Sequence, residues 1–195
     1  YNTNLILNGT EVSVVEADEF DRSFLNLSPD FACITSMDAD HLDIYGSDEA
    51  IKKSFVEFAK CIKPNGKLFV KNGLPLKGIT YGIEDDADYS VQNIKIEKGA
   101  YVFDVKTPQE IIRNLKFNLP GRHNLSNALI AMAMAAEFGV SHQQLARALE
   151  SYKGVKRRFT YQIKTDNLVF IDDYAHHPEE INAVHSAVRE MYPDK

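Results

Sequence analysis

The sequence has few cysteines, no long apolar run and no excess of positive charge, and each shortage excludes a class of protein. Its two cysteines, Cys33 and Cys61, lie far apart and form no metal-binding or redox motif, which indicates a reducing compartment, the cytoplasm. No stretch is long and apolar enough to cross a membrane and no signal peptide is visible, so we expect no membrane partner. The formal net charge of -6 argues against a general nucleic-acid binder.

The sequence also lacks an initiator methionine. It begins at Tyr1, runs almost at once into strand-like sequence, and ends at Lys195 just after a predicted helix. We therefore expect a fragment of a longer protein. Its 195 residues suffice for one large domain or for parts of two, and they carry no indication of oligomeric state.

Strand and helix patterns alternate in the first part of the chain. A helix capped by Ser47 repeats apolar residues at helical spacing as far as Ile62. It lies between strand-like runs, and this alternation predicts an α/β fold with a central, mostly parallel sheet and flanking helices. The expected strands are residues 5–7, 12–15, 31–35 and 67–70.

The pattern changes to a period of two between residues 78 and 117. Alternating apolar and polar residues separated by short turns are typical of antiparallel strands. We expect an antiparallel flank on the parallel sheet, with strands at residues 79–81, 89–96, 100–105 and 111–117.

Two acidic segments follow predicted strands. Residues 16–21 begin with Glu16, and residues 38–43 include His41. Open α/β sheets place ligands at the carboxyl ends of their strands. Carboxylates and one imidazole meeting there could hold Mg²⁺, with phosphates and waters as its other ligands. The alternative is two solvated acidic loops and a structural histidine.

The most apolar helix is predicted at residues 125–138, after a Pro120-Gly121 turn and with Asn124 or Ser126 as its cap. A helix N-terminus carries unpaired N–H groups and partial positive charge, which suits a phosphate or a nucleotide edge. The alternative is that the polar residues here only cap the helix. These residues are Arg122, His123, Asn124 and Asn127.

A basic stretch near Gly154 predicts a domain boundary. Arg157 and Arg158 either form a solvated face or clamp phosphate oxygens with their forked donors. A predicted hairpin follows and leads into residues 172–177, where Pro178 takes the first position of a helix with Glu179 and Glu180 in its first turn. Asp172 and Asp173 therefore either cap the helix dipole or belong to a site at the sheet edge.

Four polar clusters occur in one order that resembles the Mur ligase family. Glu-Ala-Asp-Glu-Phe-Asp and Asp-Asp-Tyr-Ala-His-His-Pro are the most specific of them, and the resemblance covers nearly the whole chain. Within the family, the motifs are most similar to those of the members that join L-alanine to UDP-N-acetylmuramate. The clusters are residues 16–21, 38–43, 121–127, and 157–159 followed by 172–178.

The resemblance implies an arrangement of domains. Residues 1–155 resemble the later part of a central ATP-binding domain, and residues 156–195 resemble the beginning of a Rossmann-like C-terminal domain. The family's Gly-Lys-Thr or Gly-Lys-Ser phosphate loop does not occur here, because the one Gly-Lys pair, Gly66-Lys67, is followed by Leu68. Ser36 also stands where the family usually has an asparagine.

The resemblance further implies a role for each residue that matches a family motif. Glu16 and His41 would bind Mg²⁺. His123 and Asn127 would contact the adenine end of ATP, and Asp173 its ribose or phosphate. Arg158 would contact the nucleotide phosphates, and His176 would lie near the reacting phosphate, so that these two carry the catalysis. The second-rank candidates are Arg122, Asn124, Arg157, Asp172 and His177.

The implied reaction is ATP-driven amide formation in a bacterial cytoplasm. A carboxylate of UDP-N-acetylmuramate would become an acyl phosphate, and the amine of L-alanine would then displace phosphate. The 195 residues alone would be inactive without a phosphate loop. The alternatives are another Mur-type ligase, such as one that reuses a murein tripeptide, and a non-catalytic α/β module that binds nucleotide.

Overall fold

The computed structural model describes residues 9, 11–38, 42–97 and 99–193. These residues form two compact units. The first contains the described residues of 1–30 and 37–66, and the second contains residues 31–36 and the described residues from 67 onwards. Among the described residues, no helix has both the length and the apolar character needed to span a membrane.

The first unit consists of short helices around a small aromatic core. A 3₁₀ helix, Phe20–Asn26, buries Phe24 against α2, Asp48–Lys60, while α1 is the single turn Leu42–Tyr45. The Phe24 ring stacks on Phe58 at 4.9 Å between centroids. As predicted, Ser47 caps α2, because its hydroxyl accepts a hydrogen bond from the backbone N–H of Ala50 at 3.2 Å.

The strand predicted at residues 12–15 is absent from this unit. The segment is irregular, and Val14 is 94% exposed. An apolar run forms a strand only when a neighbouring strand accepts its backbone hydrogen bonds, and no strand within the described residues pairs with this one. The strand predicted at residues 5–7 lies outside the described residues.

The second unit contains a six-stranded sheet in the order β1-β2-β3-β4-β5-β6. The pairs from β1 to β4 are parallel, and the pairs β4–β5 and β5–β6 are antiparallel. The predicted mixed α/β sheet with an antiparallel flank is confirmed, although β3 belongs to the parallel part rather than to the flank. The strands are Phe31–Ile34, Lys67–Lys71, Ile79–Ile83, Tyr89–Glu97, Ala100–Lys106 and Ile111–Phe117.

The core of the second unit lies between this sheet and α3, Arg122–Glu137. Leu125, Leu129 and Ala133 recur at helical spacing and are buried. The next helix, α4, spans His142–Ser151 and begins with a capping box formed by Ser141 and Gln144.

The predicted caps of α3 are wrong. The helix starts at Arg122, with Gly121 as its N-cap residue, so Asn124 and Ser126 lie inside its first turns. Asn124 instead donates from its side-chain amide to the carbonyl of Pro120 at 2.6 Å. Gly121 has φ +98° at the N-cap position, a backbone conformation that glycine adopts readily, and the helix begins directly after it.

One carboxylate fixes two irregular positions of the antiparallel flank. Asp104 on β5 accepts hydrogen bonds from the Asn93 side chain and from the Asn114 backbone N–H, each at 2.9 Å. Asn93 and Asn114 both have positive φ, and the strand register shifts beside each of them. These β-bulges bend β4 and β6 locally.

The last part of the chain forms a separate hairpin and a helix. β7, Thr160–Lys164, pairs antiparallel with β8, Val169–Asp172, in a two-stranded sheet of its own. The final helix, α5, spans Pro178–Met191 and has proline at its first position as predicted. It packs against α3 near Gly121.

Candidate functional site

The N-terminus of α3 faces the segment before β7 and the loop of residues 173–177 before α5. This arrangement brings His123, Arg158 and Asp173 close enough to interact electrostatically. Each of them was predicted from a different part of the sequence. The beginnings of α3 and α5 therefore meet at one polar cluster within the second unit.

His123 occupies a half-buried position in the first turn of α3. Burial lowers the pKa of its imidazole below the usual value, while the Asp173 and Glu180 carboxylates oppose this effect and the Arg158 charge adds to it. The neutral imidazole is thus favoured, and it can both donate and accept a hydrogen bond.

Gly121 leaves the space that the His123 ring occupies. A Cβ at Gly121 would lie 2.6 Å from Cε1 of His123 and 3.2 Å from Cβ of Ala187. No side chain larger than hydrogen fits there without moving the ring. The orientation of His123 thus depends on glycine at this position.

Asp173 holds its loop together. Its Oδ2 accepts a hydrogen bond from the backbone N–H of Phe159 at 2.7 Å, and its Oδ1 accepts one from Ala175 at 2.8 Å. Both oxygens therefore serve the local structure. Each retains a further lone pair, so a ligand could still be a second partner.

Glu180 links Arg158 to the loop that carries His176. The Arg158 guanidinium donates to Oε1 of Glu180 at 3.4 Å, and the backbone N–H groups of His176 and His177 donate to Oε2 at 3.1 and 3.4 Å. These donors, first among them the His176 N–H, hold the pKa of the Glu180 carboxyl below its usual value. Glu180 is therefore the anionic centre of the cluster.

The His176 side chain is exposed, and one of its ring nitrogens is already engaged. Its Nδ1 lies 3.0 Å from the carbonyl oxygen of Tyr174. A carbonyl can only accept, so the proton of the neutral ring belongs on Nδ1 and the lone pair on Nε2. In this tautomer Nε2 is the nitrogen of His176 that can accept a proton.

Two of the second-rank candidates, Arg157 and Arg122, make contacts with neighbouring side chains. The Arg157 guanidinium lies 4.7 Å from the centroid of the Tyr174 ring and 4.0 Å from Asp172. Arg122 bridges the carboxylates of Glu84 and Glu190. These contacts give both arginines structural roles.

Comparison with known proteins identifies the family. The Mur ligase middle domain model matches residues 3–135. A UDP-N-acetylmuramate–L-alanine ligase of Christiangramia forsetii is 67% identical over 193 residues, which are 99% of this chain and 43% of that protein. The ligase of the same name from Flavobacterium psychrophilum is 65% identical over 195 residues, 100% of this chain and 44% of that protein. The chain belongs to the Mur ligase family.

Solved Mur ligase structures agree with the fold. A UDP-N-acetylmuramate–alanine ligase from Thermotoga maritima superposes with a TM-score of 0.75 at 26% identity, over 89% of this chain and 41% of that one. MurF from Acinetobacter baumannii gives 0.71 at 25% identity, over 83% and 37%. The chain spans less than half the length of the relatives it matches.

The structure describes only one of the two residues predicted to bind the metal ion. Glu16 lies in an irregular, exposed segment, and His41 lies outside the described residues. In the part of the chain that is described, no group of three or more His, Cys, Asp or Glu side chains is placed to hold a metal ion. The pairing of Glu16 with His41 stays a prediction.

Asn127 and Glu180 complete the description of the cluster. Asn127 lies on α3 one turn beyond His123 and is exposed, a spacing that places both side chains on one face. Glu180 was predicted only as part of an acidic first turn. Its position three residues after His177, where a capping box places its acidic residue, was the available signal.

Proposed function

We propose that this chain is part of a Mur ligase that joins L-alanine to UDP-N-acetylmuramate at the expense of ATP. The observation that carries the proposal is the identity of 65–67% to ligases of that name over essentially the whole chain. The polar cluster of His123, Arg158, Asp173 and His176 supports it, because it gathers residues that match separate motifs of the family.

The proposed reaction has two steps. A carboxylate oxygen of UDP-N-acetylmuramate attacks the γ-phosphorus of ATP, so that an acyl phosphate forms and ADP leaves. The amine nitrogen of L-alanine then attacks the acyl carbon, an amide bond forms, and inorganic phosphate leaves. Phosphoryl transfer of this kind depends on positioning and charge stabilisation rather than on a protein nucleophile.

The cluster contains groups suited to these demands. We assign Arg158 to the transferred phosphoryl group, because a guanidinium offers several donors at a fixed geometry. His123 and Asn127 are assigned to the adenine end of the nucleotide, and Asp173 to its ribose or phosphates. His176 is assigned to the proton that the alanine amine loses, since its Nε2 carries a lone pair.

The proposal includes a magnesium ion. Glu16 is an exposed carboxylate, and one carboxylate with one imidazole is a donor set that leaves room for phosphate oxygens and water. Glu16 and His41 would hold the ion, which would supply neutralisation of phosphate charge.

The domain boundary is a further part of the proposal. We place the central domain at residues 1–155 and the beginning of the C-terminal domain at residues 156–195. The middle-domain model ends at residue 135, and the β7–β8 hairpin forms a sheet separate from the six-stranded one, which supports this division. Nucleotide-linked substrates and reduced cysteines suit a bacterial cytoplasm.

The test is steady-state phosphate release by the complete enzyme with Arg158→Ala and His176→Ala variants. Both side chains are exposed, so thermal stability should change little. We expect turnover to fall roughly a hundredfold or more for Arg158→Ala, by analogy with other preorganised charge contacts.

Matched controls are Arg147→Ala on α4 and His185→Ala on α5, which are also exposed. Normal turnover of both test variants would refute the assigned roles. A loss of activity that follows the melting temperature would show that the residues are structural.

A further inference from the structure

The carboxylate of Glu180 contacts two different parts of the cluster with its two oxygens. Oε2 receives the backbone N–H groups of His176 and His177, and Oε1 receives the guanidinium of Arg158. The Arg158 contact joins residues 22 positions apart. Glu180 thereby connects the segment before β7 to the first turn of α5.

Helix capping accounts for only one of these oxygens. A capping box requires that the acidic side chain reach back to the N-cap backbone N–H, and Oε2 does this. Oε1 takes no part in the capping box, and it accepts a hydrogen bond from Arg158 instead. The geometry thus exceeds what the helix start needs.

The ion pair contributes little to folding stability. The Arg158 side chain is 50% exposed and that of Glu180 is 34% exposed, and pairs of this kind are screened by water. The pair instead determines the direction in which the Arg158 side chain points. A long, exposed arginine side chain samples many rotamers, and a carboxylate held in place by two backbone N–H groups restricts them.

We propose that Glu180 is a positioning residue that orients the Arg158 guanidinium relative to the His176 loop. The inference rests on the proposed function, because it acts through Arg158. In the reaction, Glu180 holds the Arg158 guanidinium in its orientation before the nucleotide phosphates bind. It also ties the arginine to the backbone of the loop that carries His176.

The first test is Glu180→Gln in the complete enzyme. The glutamine carbonyl can still accept from the backbone N–H groups of His176 and His177, whereas the negative charge that faces Arg158 and lies 3.6 Å from Nδ1 of His176 is lost. We expect turnover to fall about tenfold, with an unchanged melting temperature, because misaiming a charge contact costs less than removing it. Glu179→Gln is the control, since it removes the same charge from the same helix turn.

The second test is a double-mutant cycle. If Glu180 acts through Arg158, Glu180→Gln should have no further effect on turnover in the Arg158→Ala background. An equal fall in both backgrounds, or normal turnover of Glu180→Gln alone, would overturn the inference and leave the role of Arg158 intact. Normal turnover of Arg158→Ala would overturn both.

A third measurement does not depend on turnover. The ¹⁵N relaxation of the Arg158 Nε–H group in the complete protein should show a more rigid side chain than that of Arg147, and Glu180→Gln should abolish the difference. Equal mobility of the two arginines in the unmodified protein would show that Glu180 does not hold Arg158.

Discussion

At the scale of single residues, the carboxylate of Asp173 stabilises its loop, whether or not it also binds a nucleotide. Its two oxygens accept hydrogen bonds from the backbone N–H groups of Phe159 and Ala175, which lie on either side of the hairpin. Phe159 is buried, so its backbone N–H needs a partner within the protein, and Asp173 supplies it. The shape of the loop before α5 depends on this side chain.

Asp173→Ala should therefore lower the free energy of unfolding by about 1–3 kcal/mol, the cost of leaving two partly buried donors unpaired. Asp172→Ala is the matched control, because its side chain contacts Arg157 at 4.0 Å in an exposed ion pair, and its loss should cost less than about 1 kcal/mol. Denaturant unfolding of both variants measures the difference. Equal losses would mean that the two Asp173 hydrogen bonds contribute nothing specific.

At the scale of elements, α3 depends on glycine at its start for space and at its end for conformation. Gly121 has φ +98° and its missing Cβ would collide with the His123 ring, whereas Gly139 has φ +84° and open space around it. The helix ends in a left-handed turn in which the Gly139 N–H donates to the Ala136 carbonyl.

We expect Gly121→Ala to destabilise the protein more than Gly139→Ala does. In both variants the positive φ lowers the free energy of unfolding by about 1–2 kcal/mol. Only Gly121→Ala must also displace the His123 side chain, which adds about 1–3 kcal/mol. Urea unfolding gives both numbers, and the imidazole NMR signals of His123 should shift only in the Gly121 variant. Similar costs for the two variants would contradict the tight fit.

Local signals in the sequence predicted helix starts better than strand partners. Ser47, Ser141 and Pro178 act within a few residues of their own position, so the starts of α2, α4 and α5 were predictable. A strand needs a partner that the local pattern does not supply, which is why residues 12–15 were assigned wrongly. The cluster residues were found through family motifs, while the Glu180–Arg158 contact spans too much sequence for a local pattern to reveal it.

At the scale of the whole molecule, the one Gly-Lys pair of the chain serves packing. Lys67 lies on β2, and its ammonium group pairs with Glu137 on α3, which also receives the hydroxyl of Tyr89. This lysine ties the sheet to the helix that packs on it. It is not available as the lysine of a phosphate loop.

The 195-residue chain should consequently bind Mg-ATP at least about a hundredfold more weakly than the complete enzyme does. A phosphate loop supplies a nest of backbone N–H groups and a lysine on the β- and γ-phosphates, and no such sequence occurs here. Titration calorimetry on the two proteins makes the comparison. Equally tight binding would show that the nucleotide site is built from these 195 residues alone.

The two bulges pinned by Asp104 also affect how the molecule behaves at high concentration. Among the described residues β6 is the last strand of the sheet, and α4 packs against it. Its edge carries Arg113 and Lys116 and is bent at Asn114. An edge strand that is bent, carries charged side chains and has a helix packed against it is a poor template for a strand from another molecule, so this side of the sheet resists the intermolecular pairing that leads to aggregation.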